Sequence, residues 1–272
     1  PAVTVSRIIS ASPSITEIII GLGLESRIIA ADPYSLPLLP AGTAGVDFYY
    51  PDQEFILGLE PDLIISTEVN TGGVADNPYK LLEDLGIRFF YIPTSASIAE
   101  IKRDIRAIAA ELGVAERGET LVATMEREIK EVTDIASRIT AAPAFQRKTV
   151  YLEISPFPSL YSMGRDTFMN EMIEIIGARN IFSDQTGWIA PSAESILERN
   201  PDVILTNVNF IDDPVGEIMN RQGFANITAV QEGQVYLIDN DSSSRPSQHI
   251  TLALRQMAQA IYPGDYAALG AN

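Results

Sequence analysis

The sequence predicts an α/β protein of two lobes, each a parallel sheet covered by helices, joined by a single long α-helix, with a ligand cleft between the lobes. Three observations carry this. Short β-branched runs alternate with helix-patterned stretches along the whole chain, one uninterrupted helical stretch lies near the middle, and a segment on one side of that stretch reappears on the other.

The runs that read as strands are Val5–Ser10, Ile28–Ala31, Leu63–Ser66 and Phe89–Ile92, then Thr149–Ile154, Val203–Thr206 and Val235–Ile238. Between them lie helical patterns at Ser14–Leu22, Pro78–Leu85 and Ile98–Leu112. Continuous apolar strands alternating with helices require βα units and a parallel sheet covered on both faces, so both lobes are expected to be Rossmann-like.

From Glu116 to about Thr140 there is no proline and only one glycine, Gly118. Apolar residues fall at Leu121, Met125, Ile129, Val132, Ile135 or Ala136, and Ile139, the steps of three and four that mark one helix face. Pro143 lies just beyond. A helix of roughly 25 residues is about 38 Å long. The expected division is an N-terminal lobe 1–115, a connecting helix 116–142 and a C-terminal lobe 143–272.

Glu54 through Pro61-Asp62-Leu63-Ile64-Ile65-Ser66 returns as Glu194 through Pro201-Asp202-Val203-Ile204-Leu205-Thr206, at a constant offset of 140 residues. Each copy reads as a short helix, a Pro-Asp break and a buried strand. Asp52 and Ser192 are good N-caps, which puts Glu54 and Glu194 in first helical turns. A weaker echo pairs Thr16-Glu17-Ile18-Ile19 with Asn170-Glu171-Met172-Ile173.

The chain has 272 residues, 19 Lys and Arg against 36 Asp and Glu for a net charge of −17, one histidine and no cysteine. With 46% hydrophobic residues it is not disordered. The charge argues against nucleic acid, whose affinity comes from neutralising phosphates. The longest apolar run, near Ile18–Leu24, is far too short to span a bilayer. The lack of cysteine excludes disulfides, thiolate nucleophiles and cysteine metal sites. The start at Pro1 predicts a processed chain, with any signal peptide or lipid-anchor cysteine upstream.

Enzymatic motifs are scarce. There is no phosphate-cradling P-loop, Gly21-Leu22-Gly23 lacks the third glycine of a dinucleotide site, and no G-x-S-x-G elbow occurs. His249 stands alone on the face of a helix expected over Gln248–Ile261, a position that favours packing over catalysis. Asp239-Asn240-Asp241-Ser242-Ser243 lacks the Gly and Glu of a calcium loop. The expectation is a protein that is not an enzyme. The competing reading is a carboxylate-based hydrolase or lyase in the cleft, which requires a strongly perturbed carboxylate such as Asp32 or Glu68.

Ligand binding suits what is present. In parallel sheets the crevice lies beyond the carboxyl ends of the strands. There the first lobe offers Ser12-Pro13-Ser14, Asp32-Pro33-Tyr34, Phe48-Tyr49-Tyr50, Thr67-Glu68-Val69-Asn70 and Thr94-Ser95. The second offers Ser155-Pro156-Phe157, Tyr161, Trp188, Asn207-Val208-Asn209-Phe210 and Ser244-Arg245-Pro246. Either these aromatics grip a flat or ring-shaped ligand, or several of them cap the sheet ends. The glutamate pair likewise reads in two ways. It is a generic helix-dipole stabiliser, or it presents two negative points to a partner carrying arginines.

The segments Ile8–Glu17, Glu54–Ile65, Leu85-Gly86-Ile87 leading to Ile92-Pro93, Gly177–Asp184, Glu194–Ile204 and Arg245-Pro246-Ser247, in this order and spacing, resemble the helical-backbone (class III) solute-binding proteins of ABC importers for ferric siderophores, haem and cobalamin. The resemblance implies two α/β lobes on one long helix, a shallow cleft and a small hinge motion. It implies that the protein captures an iron chelate or a related metal-centred macrocycle outside the cytoplasmic membrane, free in the periplasm or lipid-anchored, and delivers it to the permease as a monomer with no intrinsic cofactor. It implies docking of Glu54 and Glu194 on permease arginines. For a corrinoid, Tyr34, Phe48, Tyr50 and Trp188 occupy stretches comparable to the family's corrin-sandwiching aromatics, with Tyr49, Tyr161 and Phe210 beside them. For anionic siderophores only Arg245 and Arg165 are candidates. For haem, His249 is poorly placed and a tyrosine such as Tyr34, Tyr50 or Tyr161 would serve as axial ligand.

Overall fold

The structure is a computed structural model that describes residues 5–67 and 79–269. It divides into two compact units, Pro1–Ser95 with Ala99–Thr124, and Ala96–Ile98 with Met125–Asn272. The short segment at 96–98 groups with the second unit, where the Ile98 N–H donates to Glu171 Oε2 at 2.8 Å.

The first unit runs β1 (Ile8–Ser10), α1 (Pro13–Gly21), β2 (Ile28–Ala31), β3 (Ala44–Gly45), α2 (Gln53–Gly58), β4 (Leu63–Thr67), α3 (Lys80–Asp84), β5 (Phe89–Ile92), most of α4 (Ile98–Glu111) and the start of α5 (Ala115–Thr140). Its sheet is parallel throughout, in the order β3-β2-β1-β4-β5. This is the doubly wound order, which reverses between β1 and β4. Ile9, Ala30 and Ile64 from the strands pack with Ile56, Phe48 and Tyr79 in one buried cluster.

The second unit continues α5 and adds β6 (Thr149–Glu153), β7 (Ser162–Met163), α6 (Phe168–Ile175), β8 (Arg179–Asn180), β9 (Trp188–Ile189), α7 (Ala193–Arg199), β10 (Val203–Thr206), α8 (Pro214–Asn220), α9 (Thr228–Gln231), β11 (Val235–Leu237), α10 (Asn240–Ser244) and α11 (Ile250–Ile261). Its main sheet is parallel in the order β11-β10-β6-β8. With β6 in the place of β1, this is the first unit's order without a counterpart of β3. The strands β7 and β9 form a separate antiparallel ribbon.

The repeat is structural as well as sequential. α2 and α7 are each capped as expected, Asp52 Oδ1 accepting from Phe55 N (3.0 Å) and Ser192 Oγ from Ser195 N (3.2 Å). Both repeats then turn through a left-handed residue at the same position, Glu60 (φ 48°) and Asn200 (φ 43°). The aspartate of each Pro-Asp pair ties down the first strand of its unit. Asp62 Oδ2 accepts from Ser6 N, Ser6 Oγ and Arg7 N (2.8, 2.9 and 2.9 Å), and Asp202 Oδ2 from Thr149 N and Oγ1 (both 2.7 Å).

That clamp explains why β1 is shorter than the run Val5–Ser10: the N–H groups of Ser6 and Arg7 go to a carboxylate instead of a ladder. Gly118 is the one glycine of α5 because the helix passes close to α4 there. A Cβ on it would lie 2.5 Å from Ala109 Cβ. His249 does not lie on a helix face. It is the N-cap residue of α11, its N–H held by Ser247 Oγ at 3.2 Å, so the helix starts two residues later than the pattern Gln248–Ile261 suggests. Among the described residues no helix is long and apolar enough to cross a membrane.

Candidate functional site

At the carboxyl edge of the first unit's sheet, two aspartates build matching turns. Asp32 Oδ1, just after β2, accepts from Tyr34 N (2.9 Å) and Ser35 N (3.2 Å). Asp47 Oδ1, just after β3, accepts from Tyr49 N (2.8 Å) and Tyr50 N (3.2 Å). An aspartate accepting from the backbone two and three residues on fixes a tight turn without any helix or sheet. Each turn leaves tyrosines open to solvent: Tyr34 is 74% exposed, Tyr49 73% and Tyr50 86%.

Beneath the first turn lies a buried polar network. Ser35 Oγ donates to Asp32 Oδ2, and Thr16 Oγ1 stands 2.7 Å from Ser10 Oγ and 2.9 Å from Ser35 Oγ. Asp32 is therefore consumed by backbone and serine donors, which is a structural task and not that of a catalytic acid. Glu68, with Val69 and Asn70, lies outside the described residues.

Phe48 leaves the candidate set. It is 4% exposed, its ring packs on Tyr79 (centroids 6.2 Å apart), and its carbonyl accepts from the Tyr79 hydroxyl. Of three consecutive aromatics, the first is core and the next two are surface. The rings-as-caps reading holds for this one.

In the second unit the antiparallel ribbon pairs Met163 with Trp188 and Ser162 with Ile189. Tyr161 and Trp188 stack on it with centroids 6.2 Å apart and planes 11° from parallel. Both are half-exposed, so the stack is a platform and not a core contact. The ribbon is held by Gly164 N donating to Gly187 O (2.7 Å) and by a double bond pattern around Arg165, whose N–H donates to Gln185 O (2.8 Å) and whose carbonyl accepts from Gly187 N (2.8 Å). Gly164 is required there because a Cβ would lie 2.3 Å from the Gln185 carbonyl oxygen. Phe210, after β10, is exposed, as is Phe157 in the turn before Tyr161.

The two candidate arginines differ. Arg165 is exposed and 3.7 Å from the Asp166 carboxylate, whereas Arg245 is largely buried and paired with Asp241 at 2.7 Å. A third arginine was not signalled by the sequence reading. Arg221 makes a bidentate pair with Glu153 (2.7 and 2.8 Å), both side chains being almost fully buried, and also bonds Glu217. Burial works against the Arg221 charge, yet the two carboxylates hold its pKa above the ordinary arginine value. Burial pushes the Tyr151 hydroxyl well up, and Glu153 beside it adds to that. These groups are 68 residues apart in sequence, with no motif to announce them.

Glu54 and Glu194 are exposed, each the second residue of its helix. The Glu194 carboxyl is held below the usual range by its own backbone N–H and the Ser192 hydroxyl. Among the described residues no group of three or more His, Cys, Asp or Glu is placed to hold a metal ion.

The model of a periplasmic binding protein family matches residues 8–242. The chain belongs to that family. A curated relative, an uncharacterised ABC transporter substrate-binding lipoprotein (YvrC) of Bacillus subtilis, is 31% identical over 96% of this chain and 81% of its own length. A vitamin B12-binding protein of Yersinia pestis is 28% identical over 96% of this chain and 88% of its own. Among solved structures, a possible iron-binding periplasmic protein of Staphylococcus epidermidis aligns with a TM-score of 0.81 at 29% identity, covering 96% of this chain and all of the other. This periplasmic binding protein is thus a substrate-binding component of an ABC importer and works outside the cytoplasmic membrane.

Proposed function

We propose that this binding protein captures a metal-centred macrocycle, a corrinoid before others, and hands it to its permease without chemical change. The observation that carries the reading is the Tyr161–Trp188 stack. Two near-parallel, half-exposed rings on a hydrogen-bonded ribbon offer rigid apolar area to a large ring-shaped ligand at little entropic cost. The exposed Tyr34, Tyr49 and Tyr50, held by their aspartate turns, add aromatic surface in the other unit. Arg245 is committed to Asp241, which leaves Arg165 alone of the two candidate arginines open to a strongly anionic chelate. The likeness to vitamin B12-binding proteins points the same way.

A ferric siderophore is the second reading, favoured by the exposed Arg165 and by the resemblance to the staphylococcal protein. The docking role is assigned to Glu54 and Glu194, each an exposed carboxylate in the first turn of a capped helix, meeting basic side chains of the permease.

The test is a titration followed by the emission of the single tryptophan, Trp188, with cyanocobalamin, a ferric hydroxamate, a ferric catecholate and haemin. Quenching by cyanocobalamin that saturates at one equivalent, and a loss of at least tenfold in affinity for Trp188→Ala read by calorimetry, is the expected result. Saturation by a ferric siderophore alone replaces the corrinoid reading with the second one. Glu54→Ala with Glu194→Ala is expected to abolish permease-coupled uptake while ligand affinity holds; unchanged uptake removes the docking assignment.

A further inference from the structure

Tyr161 and Trp188 stand on strands too short to hold them. β7 and β9 have two residues each, and a two-stranded ribbon is marginal by itself. The two side chains remain 38% and 47% exposed, so burial of the rings does not fix the ribbon either. Its placement has to come from the rest of the unit.

Three successive residues of the strand facing Trp188 are tied down by buried side chains. The Ser162 hydroxyl donates to Leu152 O of β6 at 2.6 Å. Asn180 Nδ2, from β8, donates to Met163 O at 2.8 Å, and the Thr167 hydroxyl donates to Gly164 O at 3.0 Å. Ser162, Thr167 and Asn180 are all buried. Asn180 holds the middle of the three, and Met163 is the residue paired across the ribbon with Trp188. The direction of its amide is set by its neighbours. Oδ1 accepts from Phe182 N at 3.0 Å, while Nδ2 also donates to Asn170 Oδ1 of α6 at 3.1 Å. One side chain thus joins the main sheet, α6 and the ribbon.

We infer that Asn180 is a positioning residue of the ligand site: it fixes the ribbon strand opposite Trp188, so that the aromatic platform is formed before the ligand arrives. The inference rests on the platform reading above and adds to it the residue that sets the platform in place. A surface ordered in advance loses little conformational entropy on binding, so loosening it weakens affinity without removing any ligand contact.

The experiment uses Asn180→Asp, which keeps the shape and the bond from Phe182 N but turns an oxygen toward the oxygens of Met163 and Asn170. In the ligand-free protein the Trp188 emission is expected to shift to the red and the near-ultraviolet circular dichroism of the stacked rings to weaken. Affinity for cyanocobalamin, read by calorimetry well below each variant's thermal transition, is expected to fall by about tenfold. Asn180→Ala, which removes the tie without opposing oxygens, shifts both readouts the same way and decides the matter where Asn180→Asp does not fold. Thr149→Val loses a hydroxyl bond to Asp202 at the amino end of the same sheet, and is expected to lower the thermal transition while emission and affinity stay at parent values. Parent-like emission and affinity in the Asn180 variants, while Trp188→Ala loses binding, overturns the positioning role and leaves the platform reading standing. Equal losses in Thr149→Val overturn it too, since affinity would then follow stability alone. Parent-like affinity of Trp188→Ala removes the platform reading and this inference with it. The emission readout needs no ligand and decides the placement of the ribbon whichever chelate is bound.

Discussion

Replacing Arg221 with Met tests the interior of the second unit. The substitution keeps most of the side-chain volume but strips Glu153 of both its guanidinium bonds, at 2.7 and 2.8 Å, and leaves it the long bond from the Tyr151 hydroxyl at 3.5 Å. The Glu153 side chain is 1% exposed and that of Arg221 4%, so water cannot replace the lost partner. Glu217, at 33% exposure, can turn back to solvent and adds little to the cost. Breaking a buried pair from one side costs about 3–5 kcal/mol. Most of that is the orphaned carboxylate, so Arg221→Met combined with Glu153→Gln is expected to recover all but about 1–2 kcal/mol. Burial already pushes the Glu153 carboxyl up, with Arg221 opposing it. Without the arginine the folded pKa rises further above the unfolded one. A raised carboxylate contributes stability below the unfolded pKa and loses it as pH rises through the folded value, so the Arg221→Met defect must grow as pH rises from the unfolded glutamate range, about pH 4, toward neutrality. Urea unfolding followed by circular dichroism across that range reads both effects. A cost below about 1 kcal/mol, or one independent of pH, would refute the reasoning that this pair is desolvated.

Three further outcomes are expected. Gly164→Ala places a Cβ 2.3 Å from Gln185 O and 2.6 Å from its carbonyl carbon, backbone atoms that cannot swing aside; a loss of about 1–3 kcal/mol with a shifted Trp188 emission follows, and parent-like emission and stability would contradict the ribbon's role. The Asp62 carboxyl is held below its ordinary value by the N–H and hydroxyl of Ser6 and the N–H of Arg7. Its contribution is present above the unfolded pKa and lost as pH falls through the folded one, so acid unfolding below about pH 4 should be flatter in Asp62→Asn, and an unchanged acid limb counts against the clamp. Glu60, at φ 48°, pays for a left-handed conformation that glycine adopts freely; Glu60→Gly should be neutral or stabilising by up to about 1 kcal/mol in thermal unfolding, and a clear loss would mean that the side chain itself is needed.

Much of the fold is legible in the sequence because its signals are local. Ile28–Ala31, Phe89–Ile92 and Val203–Thr206 are strands with the bounds their β-branched and aromatic runs suggest; Val203–Thr206, buried throughout, shows most clearly the near-continuous apolar run of a strand covered on both faces. The connecting helix follows its apolar steps and its lack of proline, spanning Ala115–Thr140. The caps at Asp52 and Ser192 are decided within four residues, and so is the outward place of Glu54 and Glu194. The paired aspartate turns were also within reach: Asp32-Pro33-Tyr34 and Asp47-Phe48-Tyr49 share the spacing of an aspartate two residues before a tyrosine.

The sequence by itself determined the doubly wound lobes, the connecting helix and the matched glutamate helices, because each depends on neighbours a few residues away and on the period of apolar positions. Only the tertiary structure decided which rings are offered to a ligand. Phe48 and Tyr49 are adjacent and chemically alike, yet the first is drawn inward by Tyr79, 31 residues on, while the second is left in solvent. The two-residue strands of the ribbon have no period to read, and the Tyr161–Trp188 platform exists only because Gly164 admits the Gln185 carbonyl. The fate of Arg221 is likewise settled by a carboxylate far off in the chain. Burial and pairing of this kind are energies between elements, fixed when sheet and loops close together, and no local pattern encodes them.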